Sequence, residues 1–191
     1  MKRSNKVPQL KENIILIVEG KSDEKFIERL KILFNSKYNI EVVNAKSGTR
    51  ILKKYKDKKK VFPEKEILVL YDLDNCKTLT NIKNEYKQEG IKLEDNQLYY
   101  INPEIELLFI LWYEKRAYTM VSDDEYKKII FDIYGIKNYR KTESELKKIM
   151  SEITSERVSL IIKNIKSLKL NKNSNKLPST NFDKLFEKLF K

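Results

Sequence analysis

Two apolar runs in this chain end on acids. Ile14-Ile15-Leu16-Ile17-Val18 leads directly into Glu19-Gly20-Lys21-Ser22-Asp23, and Ile67-Leu68-Val69-Leu70 opens onto Tyr71-Asp72-Leu73-Asp74. Neither run alternates with polar residues, and both are short and rich in branched side chains. That is the pattern of a strand covered on both faces, as in a parallel sheet flanked by helices. In such sheets ligands bind beyond the carboxyl ends of the strands. Acids placed at those ends therefore mark the first place to look for a site.

The rest of the first hundred residues fits the same plan. Asn39–Val43 and Gln97–Ile101 read as two further strands. Between the four strands lie helical stretches, one capped by Ser22 or Asp23 and carrying Phe26, Ile27, Leu30, Leu33 and Phe34 on one stripe. A second is capped by Ser47 or Thr49 and runs to about Asp57, with Pro63 blocking its continuation. A third ends before Gly90. Strand–helix repetition of this kind predicts an α/β fold with a mainly parallel four-stranded sheet flanked by helices. Asn102-Pro103 reads as the cap and first position of a helix reaching about Arg116. Helices near 123–134, 142–152 and 155–169, a polar loop over Asn171–Pro178 and a last helix bearing Phe182, Leu185, Phe186, Leu189 and Phe190 complete a helical C-terminal extension. The expected organisation is a basic arm over 1–12, an α/β core over 13–102 and the extension over 103–191, packed together as one unit.

Composition narrows the chemistry. The 191 residues include no histidine and one cysteine, Cys76. A Ser-His-Asp or Cys-His apparatus is therefore excluded, as is any imidazole or cysteine-rich metal site. Acid–base work falls to Asp, Glu, Lys, Tyr or a metal-bound water. The longest apolar stretch, Leu107–Tyr113, falls far short of the roughly 20 residues of a membrane span. No signal-peptide core follows the basic N-terminus, so a cytoplasmic protein without membrane contact is expected. The net charge of +12 points to a polyanion, DNA or RNA. Part of that excess reflects the Lys-, Asn- and Ile-rich composition of an AT-rich coding sequence. The rest is clustered. Lys46, Arg50, Lys53, Lys54, Lys56, Lys58, Lys59 and Lys60 face one acid, Asp57. This is either a phosphate-tracking face, with Lys46, Arg50, Lys53 and Lys54 as its candidate contacts, or a solvated helix face and loop.

Glu19 ends the first strand, Asp72 and Asp74 end the third, and Glu104 and Glu106 follow the fourth. Asp23 lies one helical turn beyond Glu19. Each has an ordinary alternative: helix caps for Glu19 and Asp23, an Asx turn for Asp72–Asn75, and favourable first-turn acids for Glu104 and Glu106. Together they form an acidic edge that needs a cation, and oxygen-only ligands select Mg²⁺ or Mn²⁺.

Val18-Glu19-Gly20 followed by Asp72-Leu73-Asp74 resembles the Toprim domain of primases, topoisomerases, OLD-family nucleases and RNA-maturation nucleases. Asp23 stands where OLD-like nucleases carry a second acid, and Asn44-Ala45-Lys46-Ser47-Gly48 resembles the small-residue turn after the second strand. Asn102-Pro103-Glu104-Ile105-Glu106-Leu107-Leu108-Phe109 and Leu177-Pro178-Ser179-Thr180-Asn181-Phe182 are similar to segments of the RloB-like Toprim family. Two positions depart from that family. Ile105 replaces its usual aromatic, and its histidine is absent, with Trp112 or Tyr113 in that region.

The resemblance implies a Mg²⁺- or Mn²⁺-dependent nuclease of antiphage abortive infection acting beside an ATPase partner, with a homodimer left open. Glu19 would be metal ligand and general acid/base, Asp23, Asp72 and Asp74 would hold metal, and Glu106 would complete or orient the site. Ser179 and Thr180 would contact phosphate or cap the last helix. A housekeeping RNA-maturation nuclease and a non-catalytic binding module are the alternatives.

Overall fold

A computed structural model of the protein describes residues 11–73, 78–113, 123–168 and 178–191. Five strands form one sheet in the order β2-β1-β3-β4-β5. They are β1 (Glu12–Val18), β2 (Tyr38–Asn44), β3 (Glu66–Asp72), β4 (Leu98–Asn102) and β5 (Ser179–Thr180). The first four run parallel. The two-residue β5 adds antiparallel to the outer edge of β4, pairing Thr180 with Ile101 and Ser179 with Asn102. The sequence predicts four strands. The fifth has too few residues to carry a periodic signal.

The unbroken apolar runs are explained by cover on both faces. Ile14, Leu16, Val18, Leu68 and Leu70 point to one side, against Phe26, Ile27 and Leu30 of α1 (Lys21–Leu33). Ile15, Ile17, Ile67, Val69 and Tyr71 point to the other, against Ile51 and Tyr55 of α2 (Gly48–Val61) and Ile82 and Tyr86 of α3 (Leu79–Gln88). β1 lies between β2 and β3, and the helices that follow β1 and β3 leave on opposite faces. The carboxyl ends of β1 and β3 thus flank a topological switch point, where an α/β sheet opens a crevice. In register, Val18 lies beside Leu70, so Glu19 and Asp72 emerge at that crevice.

The helical extension covers the α1 face. It comprises α4 (Glu106–Ile110), α5 (Asp123–Tyr134), α6 (Glu143–Glu152), α7 (Ser155–Leu168) and α8 (Phe182–Phe190). Phe26 of α1 sits with its ring centroid 5.7 Å from those of both Phe109 and Phe182, joining the core helix to α4 and α8. No described helix is long and apolar enough to cross a membrane.

Three expected boundaries move. Asn102 is the last residue of β4, its bond to Pro103 is cis, and α4 begins only at Glu106, so Asn102-Pro103 does not start a helix. α4 has five residues, all buried, as expected of a helix that is apolar nearly all round. It ends at Ile110, with residues 111–113 in a turn, short of the expected end near Arg116. α1 is capped by Gly20, with Asp23 at its third position instead of at the cap. α2 runs a turn past Asp57 to Val61, its last turn carrying Lys58, Lys59 and Lys60 where cations favour the helix C-terminus. Residues 1–10 of the expected arm, Cys76 and most of the Asn171–Pro178 loop lie outside the described residues.

Candidate acidic site at the switch point

Glu19 follows β1 directly, and its carboxylate lies against the backbone at the start of α2. A Cβ placed on Gly48 would stand 2.7 Å from Glu19 Oε2. Gly48 therefore provides the space that Glu19 occupies. Asp23 is 1% exposed. Its Oδ2 accepts from the Gly20 N–H at 2.9 Å, the carboxylate half of a capping box, while its buried Oδ1 has no hydrogen-bond partner. Asp72 closes β3, and its Oδ1 is likewise buried without a partner. Glu106, at the start of α4, is 1% exposed. Its Oε1 accepts from the Tyr139 hydroxyl at 3.0 Å and the Ser22 hydroxyl at 3.4 Å, and its Oε2 faces the Lys141 ammonium at 3.2 Å.

These acids feel one another. Burial holds the Asp23 carboxyl up at about 7 against the pull of the Gly20 N–H, and the charges of Glu106 and Glu19 push the same way. Asp72 is raised well above the carboxylate range, by burial first and then by Asp23, Glu19 and Glu106, with Lys141 opposing. At Lys141 burial works against the charge, but the Glu106 and Glu104 carboxylates outweigh it and the ammonium is held more firmly than usual. Lys141 also reaches Glu104 Oε2 at 2.7 Å.

The cleft over these groups has a volume of about 310 Å³, and Glu19, Asp23, Asp72, Glu104, Lys46 and Lys141 help line it. So Glu19, Asp23 and Asp72, three of the four expected metal ligands, meet at one crevice with Glu106 behind them. The fourth, Asp74, lies outside the described residues. Among the described residues no group of three or more such side chains stands ready-arranged to hold a metal ion. The donor chemistry nonetheless suits a hard cation: two buried carboxylate oxygens without partners, on acids that resist ionising together.

The basic cluster divides in two. Lys46 lines the acid cleft from the turn after β2, with a left-handed backbone (φ 69°) secured by its N–H donating to Asn44 Oδ1 at 2.8 Å. Arg50, Lys53 and Lys54, one and two turns along α2, share a separate hollow of about 330 Å³ with Asp57, and no ion pair ties them down among the described residues. Lys56 and Lys58 are instead spent on Glu89 and Glu41, each at 2.5 Å, and Lys59 on the Pro63 carbonyl. The solvated-face reading thus fits this second set, while the first remains open to an anion.

Thr180 donates its hydroxyl to the Tyr100 carbonyl at 2.6 Å and accepts from the Phe182 N–H at 3.0 Å, so it serves β4 and the entry to α8. Lys141 and Tyr139 were not singled out by the sequence. They belong to the turn before α6, and only the packing of the extension brings them to the acids. No protein-family model, curated protein or solved structure matches the chain.

Proposed function

We propose that the protein is a Mg²⁺- or Mn²⁺-dependent nuclease of Toprim type that cleaves phosphodiester bonds in DNA or RNA. The observation that carries the reading is the meeting of Glu19, Asp23 and Asp72 at the switch point, with two buried carboxylate oxygens unpartnered, beside an unpaired cationic face of α2. The mainly parallel sheet with helices on both faces is compatible with a Toprim-like core. The setting implied by the sequence resemblance, phage defence beside an ATPase, rests on the sequence motifs alone.

In this reading Asp23 and Asp72 would hold the cation through their free oxygens, with Glu19 beside them. When bound, such a cation polarises a phosphoryl oxygen and lowers the pKa of water. Glu19, partly exposed at the mouth of the crevice, accepts the proton of the attacking water at its carboxylate. Lys46 and Lys141 offer positive charge to the non-bridging phosphate oxygens. Glu106 is a positioning group: Tyr139, Ser22 and Lys141 occupy its oxygens, and it sets where Lys141 points. Arg50, Lys53 and Lys54 would track the backbone away from the site, contributing affinity without sequence choice.

The test is direct. Purified protein is incubated with single- and double-stranded DNA and RNA under Mg²⁺ or Mn²⁺. Cleavage by the wild type that disappears in Glu19→Gln and in Asp72→Asn supports the reading. Equal cleavage by all three proteins assigns it elsewhere, and metal-insensitive binding without cleavage favours a binding module.

A further inference from the structure

A second hollow backs onto the acid cleft. It has a volume of about 220 Å³ and lies between the start of α4, the first turn of α5 and the turn before α6. Glu104 and Lys141 line both hollows, so the two are separated by one ion pair. Two aromatic rings line this hollow, Tyr126 and Tyr139, which are 2% and 5% exposed. Tyr139 is fixed in place by its hydroxyl bond to Glu106. Arg140 and Lys127 are exposed and also line it. Arg140 makes no side-chain ion pair among the described residues, its backbone N–H alone being used, on Glu145.

This combination suits a nucleobase. The exposed Arg140 guanidinium plane can stack on any base, the buried Tyr126 and Tyr139 give the hollow an apolar wall, and the Glu104 carboxylate can accept from an exocyclic amine. A phosphate suits it less well, because Glu104 and Glu106 both line the hollow. Resting on the nuclease reading above, we infer that this hollow seats an unpaired base next to the phosphate held in the acid cleft. The substrate is then single-stranded, looped or flipped at the point of cleavage, since a base stacked in a duplex cannot enter a side pocket.

The test measures binding in Ca²⁺ instead of Mg²⁺, so that oligonucleotides stay intact. The probes are a fluorescently labelled single strand of about twelve nucleotides and the blunt duplex of the same sequence, each as DNA and as RNA. The wild type is expected to bind a single strand about tenfold more tightly than its duplex, as one stacked base allows. Arg140→Ala should remove most of that preference, whereas Lys53→Ala should weaken both forms alike. Equal binding of strand and duplex by the wild type overturns the inference, as does an Arg140→Ala effect that is the same for both. Failure to bind any of the four probes overturns the nucleic-acid reading itself, and the base pocket with it.

Discussion

Gly48→Ala separates the site from the fold. Gly48 is the first residue of α2, and an added methyl would approach Glu19 Oε2 to 2.7 Å, Cδ to 3.1 Å and Oε1 to 3.2 Å. Ordinary contact starts near 3.4 Å, so the carboxylate must retreat by about 0.7 Å. The obstructing atoms all belong to the end of one side chain, and the backbone need not move. Folding should therefore suffer little. Replacing glycine by alanine in a helix stabilises by up to about 1 kcal/mol, less in the first turn. For a chain of this size that is a melting temperature unchanged or raised by roughly 2–4 °C. Function should respond in the opposite direction. A misplacement near 1 Å of a reacting group costs on the order of 100-fold in rate, so Mg²⁺-dependent cleavage should fall by about 10- to 100-fold. Differential scanning fluorimetry beside an initial-rate assay reads both quantities on one preparation. A variant that is stable and fully active would refute the argument, because Glu19 would then not need the place that Gly48 leaves for it. A variant that loses stability would show that the contact is built into the fold more deeply than the side-chain atoms indicate.

Three further outcomes are expected. Lys141→Met leaves Glu106 buried with only its Tyr139 and Ser22 bonds. Because Lys141 is about half exposed, the loss should be about 2 kcal/mol, below the ~3–5 kcal/mol of a fully buried pair. That corresponds to a melting point lower by roughly 4–8 °C, and added Mg²⁺ should restore more stability to this variant than to the wild type. In metal-free solution the folded chain holds a proton on Asp23 up to about pH 7, while the unfolded chain releases it near the ordinary 3.8. Stability should therefore fall as pH rises from 5 to 7, with the raised Asp72 carboxyl adding to the fall, and Asp23→Asn should make the profile of melting temperature against pH shallower. Removing Arg50, Lys53 and Lys54 together should reduce the slope of log affinity against log salt by about 2–3, the contribution of three phosphate contacts, with melting temperature hardly changed.

The parts that the sequence made legible are those whose surroundings are uniform. β1 and β3 lie between two helical layers, so every position is apolar and the run ends abruptly where the chain meets the crevice. Glu19 and Asp72 stand out for that reason. α8 was equally readable, since one stripe of Phe182, Leu185, Phe186, Leu189 and Phe190 is buried. The run after β4 misled because a buried five-residue helix and a longer one share the same apolar letters. Lys141 and Tyr139 carried no local signal. Their place depends on the α5–α6 turn folding over a strand end some 40 residues earlier, and Lys141 adopts a left-handed backbone (φ 60°) there. Gly48 could be read as a turn residue, but its contact with Glu19 depends on β1 and β2 lying in register.

The outer edge of β4 is completed by residues that are made last among the described elements. Asn181 accepts from the Tyr100 N–H at 2.8 Å and donates to the Leu98 carbonyl at 3.1 Å, while Phe182 packs on Phe26 of the helix that carries Asp23. On the ribosome, Glu19, Asp23 and Asp72 emerge more than a hundred residues before this clasp. The acidic crevice therefore cannot be braced until residues 178–191 have left the exit tunnel. A nascent or prematurely terminated chain would carry every acid of the site and lack the frame that aligns them. On the nuclease reading proposed above, a chain that stops before residue 178 should show no Mg²⁺-dependent cleavage.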